Sequence, residues 1–144
     1  MSYKLPLSVL VIVHTASGDV LLLERALRPG YWQSVTGSVD TMEEPLERAA
    51  AREVYEETAI DAAAGRLERW NVVYTFEIYQ QWRHRFEPGV LHNVEHVFAL
   101  ELPDRVPVRV ARDEHLGFVW LPWREAAAKC FSWSNRDAIV MLGE

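Results

Sequence analysis

Carboxylates crowd one short stretch of this chain: Glu53, Glu56 and Glu57 follow Glu43, Glu44 and Glu47 inside GSVDTMEEPLERAAAREVYEETAI, Gly37 to Ile60. From Pro45 onward the stretch reads as a helix running to about Thr58. Glu43 and Glu44 sit where a helix N-terminus favours negative charge, and Pro45 sits where a missing N–H costs nothing. At about 100° per residue, Leu46, Ala49 and Ala50 form an apolar stripe whose continuation lands on Glu53 and Glu57. Two carboxylates therefore point the same way as the packing face. Arg52, one turn before Glu56, can partner that residue, which leaves Glu53 and Glu57 as the pair in need of positive charge. A shared proton, a basic side chain or a hard divalent cation would meet the need. A solvated acidic helix is the plain alternative. The angular placement argues against it.

The same residues resemble the signature box of the Nudix hydrolases: Gly, five residues, Glu, seven residues, then Arg-Glu-aliphatic-any-Glu-Glu-any-Gly-aliphatic. Arg52, Glu53, Val54, Glu56, Glu57 and Ile60 match, and seven residues separate Glu44 from Arg52. Six residues rather than five separate Glu44 from Gly37. The extra residue is placed in the loop from Asp40 to Glu43, where it does not rotate the helix. Ala59 replaces the box's second Gly, a position that shapes the turn after the helix.

The resemblance implies hydrolysis of a phosphoanhydride with Mg²⁺, for which Mn²⁺ could substitute, since carboxylate-bound Mg²⁺ activates water and neutralises phosphate oxygens. It implies Glu53, Glu57 and Glu114 as metal ligands, with the backbone carbonyl of Gly37. Glu56 would be a ligand or base, and Arg52 would orient the carboxylates. WQSVTGSV (Trp32 to Val39), RHRFEPGV (Arg83 to Val90) and SWSNRDAI (Ser132 to Ile139) further resemble a bacterial Nudix subgroup acting on dihydroneopterin triphosphate in folate synthesis. By that analogy Lys4 and Arg25 would meet phosphates, Phe76 or Tyr79 would stack on a flat heterocycle, and Thr36, Glu77, Ile78 and Ser132 would line the rest. A broader pyrophosphohydrolase of normal or oxidised nucleotides is the first alternative. A non-catalytic ligand sensor is the second, and it is disfavoured by the presence of every box acid.

Two other constellations carry less. HNVEH, His92 to His96, has the spacing of a zinc-peptidase motif, but it alternates as a strand between Pro88-Gly89 and Pro103. Four residues of strand span roughly 13 Å, too far for both imidazoles to hold one zinc. Glu95 points to the face opposite the histidines and is held as a second-rank acid. WRHRF, Trp82 to Phe86, interleaves basic and aromatic residues as single-strand nucleic-acid sites do. In a chain of net charge −6 the expected partners of its arginines are a phosphate tail or internal acids.

The elements that must position these groups follow from the hydrophobic pattern. Leu7 to His14 is a buried strand, Ser17-Gly18-Asp19 turns it into Val20 to Glu24, and Trp32 to Val35 delivers Thr36 and Gly37 to the box. Leu67 to Tyr79 and Val90 to Leu102 are two longer strands, and Phe118 to Leu121 is a last short one. Pro122 starts a helix to Cys130, and Ser134 can cap a final helix holding Ile139 and Leu142. The 144 residues, 49% hydrophobic, suit one domain, residues 1–144, without low-complexity segments. The expected class is α/β: a mixed central sheet covered by helices, agreeing with the α/β/α sandwich of the Nudix fold. Cys130, the single cysteine, leaves no internal disulfide. No apolar run is long enough for a bilayer, so the expected setting is cytoplasmic, with a small-molecule triphosphate as partner and neither nucleic acid nor membrane.

Overall fold

A computed structural model describes residues 3–143. The apolar run near the N-terminus becomes β1, Leu7–Thr15, and nearly all of it is buried. Alternation decides where each side chain goes. Val9, Val11 and Val13 join one core, while Leu10 and Ile12 join another on the opposite face. β1 lies in the middle of a seven-stranded sheet with β2 (Asp19–Arg25), β3 (Trp32–Gln33), β4 (Val35–Ser38), β5 (Arg66–Glu77), β6 (His92–Leu102) and β7 (His115–Pro122). The main order is β3-β2-β1-β6-β5, with β4 also on β1 and β7 on β2. The β1–β6 pair is parallel and the other pairs are antiparallel, so the sheet is mixed, as expected.

Helix α1, Leu46–Thr58, covers one face through Ala49, Ala50 and Val54. Helices α2, Trp123–Lys129, and α3, Trp133–Val140, cover the other through Ala126, Ala127, Ala138 and Ile139. This is the α/β/α sandwich that the resemblance implies. Among the described residues no helix is long and apolar enough to cross a membrane.

Several boundaries differ from expectation for identifiable reasons. The strand expected at Trp32 to Val35 is split: β3 pairs with β2, and β4 pairs with β1 from Val35 to Ser38. Ser34, between them, gives its N–H to Asn135 Oδ1 at 2.7 Å instead of to a ladder. The cap of α3 is Ser132, whose hydroxyl accepts from the Asn135 N–H; Ser134 is buried inside the helix, and Leu142 falls in the 3₁₀ turn after it. The loop between β5 and β6 contains a 3₁₀ helix, Gln80–Arg85. Cys130 is free and half-buried, and burial pushes its thiol up to about 12.

Candidate active site

Helix α1 starts directly after Pro45, so Glu44 lies just outside its first turn. Both oxygens of Glu44 receive the guanidinium of Arg52, Nε at 3.0 Å and Nη2 at 3.0 Å, in the two-pronged geometry that suits this pair. Glu44 also takes the Asp40 N–H at 2.8 Å, which closes the loop carrying the extra residue. Arg52 holds this carboxyl below its ordinary range. The remaining Arg52 donors reach Glu53 at 2.8 Å, Glu56 at 3.3 Å and the Ser38 carbonyl at 3.2 Å. Arg52 does partner Glu56, as the helical spacing allows, but the same guanidinium also serves other acids. Its principal partners are Glu44 and Glu53, and Glu56 remains more than half exposed.

That leaves Glu57 as the carboxylate without a fixed positive partner. It is 2% exposed, and among the described residues its Oε1 has no hydrogen bond. The nearest basic group is His115, with Nε2 at 3.7 Å. Burial, with Arg25 nearby, pushes that imidazole down to about 4, so it is neutral and does not compensate the acid. Burial first, and Glu53 second, push the Glu57 carboxyl well up; burial also raises Glu53. On the facing strand β4, Gly37 lies so close to the Glu53 carboxylate that a Cβ there would overlap it. A side chain at this position would have to push the Glu53 carboxylate out of its place against the sheet.

Glu53, Glu57, Gly37 and Glu114 all line one cleft of about 500 Å³, which also holds Lys4 and Arg25. Glu114 occupies the exposed turn before β7, tied by its carbonyl to the Ala26 N–H at 2.9 Å. Among the described residues, no three of the acids, histidines or cysteines gather into a compact metal-holding cluster. What the cleft does present is an orphaned buried carboxylate oxygen, a second carboxylate one turn away, and a glycine that clears space beside it. This donor set fits a hard cation that completes its shell with water and ligand oxygens rather than with a protein cage.

A second cleft of about 520 Å³ adjoins the first, and Lys4, Thr36 and Gly37 belong to both walls. Phe76, Glu77, Ile78, Tyr79 and Ser132, all expected at the site, line it. Their settings differ: Ile78 is buried, Phe76 and Ser132 are half-buried, and Glu77 and Tyr79 are exposed at the rim. The sequence reading missed several contributors. Trp82 and Phe131 form an aromatic wall with ring centroids 6.4 Å apart, and the Arg25 guanidinium lies 4.7 Å over Trp82 while donating to Gln33 at 3.0 Å. The aromatic interleaving of WRHRF was the available signal for Trp82. Nothing local marked Phe131, which reaches the cleft from the segment before α3. Asn93 and Glu95, from HNVEH, line the floor, and the strand reading of that segment agrees with β6.

The NUDIX domain profile matches residues 4–141. The chain is 44% identical to the dihydroneopterin triphosphate diphosphatase of Escherichia coli over 140 residues, 95% of this chain and 91% of the relative. It is 35% identical to the Haemophilus influenzae protein of the same name over 143 residues, 96% of this chain and 88% of the relative. The solved structure of the E. coli dihydroneopterin triphosphate pyrophosphohydrolase superposes with a TM-score of 0.90 at 42% identity, covering 98% of this chain and 97% of that one.

Proposed function

Since the chain belongs to the Nudix family, we propose that it hydrolyses 7,8-dihydroneopterin triphosphate to dihydroneopterin monophosphate and pyrophosphate with Mg²⁺ bound at Glu53 and Glu57. The observation that carries this reading is the pair of clefts meeting at Thr36 and Gly37. One is acidic with basic residues on its wall, and the other is aromatic and large enough for a flat ring. Relatives whose names specify that substrate, matched over nearly the whole chain, favour the pterin over a nucleotide.

The bound cation would neutralise phosphate oxygens and lower the pKa of water. Glu53 and Glu57 would hold it with the Gly37 carbonyl, and Glu114 would approach from the opposite wall. Arg52 keeps Glu53 in one orientation while Glu44 keeps Arg52 in place, so the carboxylate is positioned before anything binds. Glu56, exposed beside the buried pair and held by Arg52 at 3.3 Å, would be the acid that takes the proton of the attacking water. Lys4 and Arg25 would meet the triphosphate, and Tyr79, Trp82 and Phe131 would enclose the ring.

The test is a comparison of kcat/KM for dihydroneopterin triphosphate against common and oxidised deoxynucleoside triphosphates, with pyrophosphate and single phosphate measured separately. A preference for the pterin of about tenfold or more, with pyrophosphate as product, is expected. A nucleotide preferred over the pterin would remove the substrate assignment, and inactivity toward every triphosphate would remove the enzyme assignment. Glu53→Gln and Glu57→Gln should each lower kcat by about a hundredfold or more while circular dichroism stays unchanged.

A further inference from the structure

Strand β6 turns Asn93 and Glu95 to the same side of the sheet, and both are only 6% exposed at the floor of the aromatic cleft. Each keeps an atom that the protein does not use. The Asn93 amide donates to Ser8 Oγ at 2.8 Å, but its Oδ1 is buried without a partner among the described residues. Turning the amide over would only exchange which of its polar atoms is left unpaired. Among the described residues Glu95 has one hydrogen-bond partner, Thr36, whose Oγ1 lies 3.2 Å from Oε2. No Lys, Arg or His forms an ion pair with it among the described residues.

Thr36 also lies 3.0 Å from the Val9 carbonyl, which can only accept. One hydroxyl has one proton. Both contacts are satisfied when Thr36 donates to Val9 and Glu95 donates to Thr36, which requires a protonated Glu95. Burial, pushing this carboxyl up to about 7, agrees with that count. A carboxyl placed deep in a cleft with no cation partner is a poor stabiliser of the fold, because its desolvation is uncompensated. Its second oxygen and the Asn93 Oδ1 are left as acceptors on two residues that line the same cleft.

We propose that Glu95 and Asn93 read the edge of a 2-amino-4-oxopyrimidine ring: as the ring enters, Glu95 gives up its proton to solvent and its carboxylate takes the ring N–H together with one amino proton, while Asn93 takes the other. Adjacent ring N–H and amino donors match a carboxylate in a two-point contact. Pterins and guanine carry this edge; adenine, cytosine, thymine and hypoxanthine do not. Glu95 and Asn93 are thus the specificity determinants of the ring site, whereas Tyr79, Trp82 and Phe131 accept any flat ring. This deepens the function proposed above and rests on the aromatic cleft being the ring site.

The decisive comparison is GTP against ITP, which differ only in the 2-amino group. In the wild type, kcat/KM for GTP should exceed that for ITP by tenfold or more. In Glu95→Gln, where one acceptor becomes a donor, the ratio should fall to within about threefold, mainly through a higher KM for GTP. Equal turnover of GTP and ITP by the wild type, or an unchanged ratio in Glu95→Gln, would overturn the proposal while leaving hydrolysis itself standing. If neither GTP nor ITP is turned over, fluorescence titration of the wild type with pterin and with lumazine, whose 2-oxo group replaces the amino group, decides the point. Tighter binding of pterin sustains the edge reading even should the enzymatic reading fail, and equal or no binding of the two rings sinks it.

Discussion

Glu95 shows how one side chain can serve a site at a cost to the fold. Its carboxyl is pushed up from 4.5 to about 7, so the folded protein holds the proton more tightly than the unfolded chain. Between those pH values the folded state binds more protons, and stability falls as pH rises until the loss is complete above about 7. At about 1.4 kcal/mol per pH unit, the gap bounds the loss at roughly 3 kcal/mol. Glu95→Gln removes the charge at every pH. The melting temperature of the variant relative to wild type should therefore be several degrees more favourable at pH 8 than at pH 5, and equal differences at both would refute the buried-acid account. The position was half legible in the sequence. Strand alternation put Glu95 opposite the histidines, but its partner Thr36 lies far away along the chain and is reached only through the packing of β4 and β6 on either side of β1. The same limit applies to Arg52. Helical spacing pointed to Glu56, whereas loop closure through Asp40 brought Glu44 into better geometry.

At the scale of elements, α1 was the most legible part of the chain, because its apolar stripe and its acids share one period. It runs from Leu46 to Thr58, within a residue of expectation. Its end carries strain. Ala59 adopts φ 63° and ψ 14°, the left-handed conformation in which a Cβ is disfavoured, and its N–H donates to the Tyr55 carbonyl. Asn71, at φ 57° in the irregular stretch of β5, is a residue type better suited to that region. Replacing Ala59 by Gly relieves the clash at the helix end, against a smaller entropic loss in the unfolded chain. The expected gain is about 1 kcal/mol, or roughly 3 °C in melting temperature. Thermal unfolding of Ala59→Gly checks it, and a lower melting temperature would mean that the neighbouring packing already absorbs the strain. The split of Trp32 to Ser38 into β3 and β4 was not legible, since the side chain that claims the Ser34 N–H belongs to α3 near the other end of the chain.

Taken as a whole, the sandwich leaves the acidic pair no way to separate. Ala49, Ala50 and Val54 fix α1 to the sheet from one side, while α2 and α3 hold the sheet from the other, so Glu57 cannot swing out to water without dismantling a core. The desolvation and mutual repulsion of Glu53 and Glu57 are then carried by the entire fold. A cation that binds the folded chain alone should relieve them and stabilise every element together. Adding Mg²⁺ at about a hundred times its dissociation constant should raise stability by roughly 2.7 kcal/mol, a shift of several degrees in melting temperature that chelation reverses. Glu57→Gln should behave in two opposite ways. Without Mg²⁺ the variant should melt at or above the wild-type temperature, because it no longer buries an unpaired acid beside another. With Mg²⁺ it should gain far less than the wild type, because a ligand is gone. Calorimetric melting of both proteins with and without Mg²⁺ separates these effects. A variant destabilised without the cation and still fully responsive to it would mean that Glu57 is a packing residue and that the metal, where it binds, is held elsewhere in the cleft.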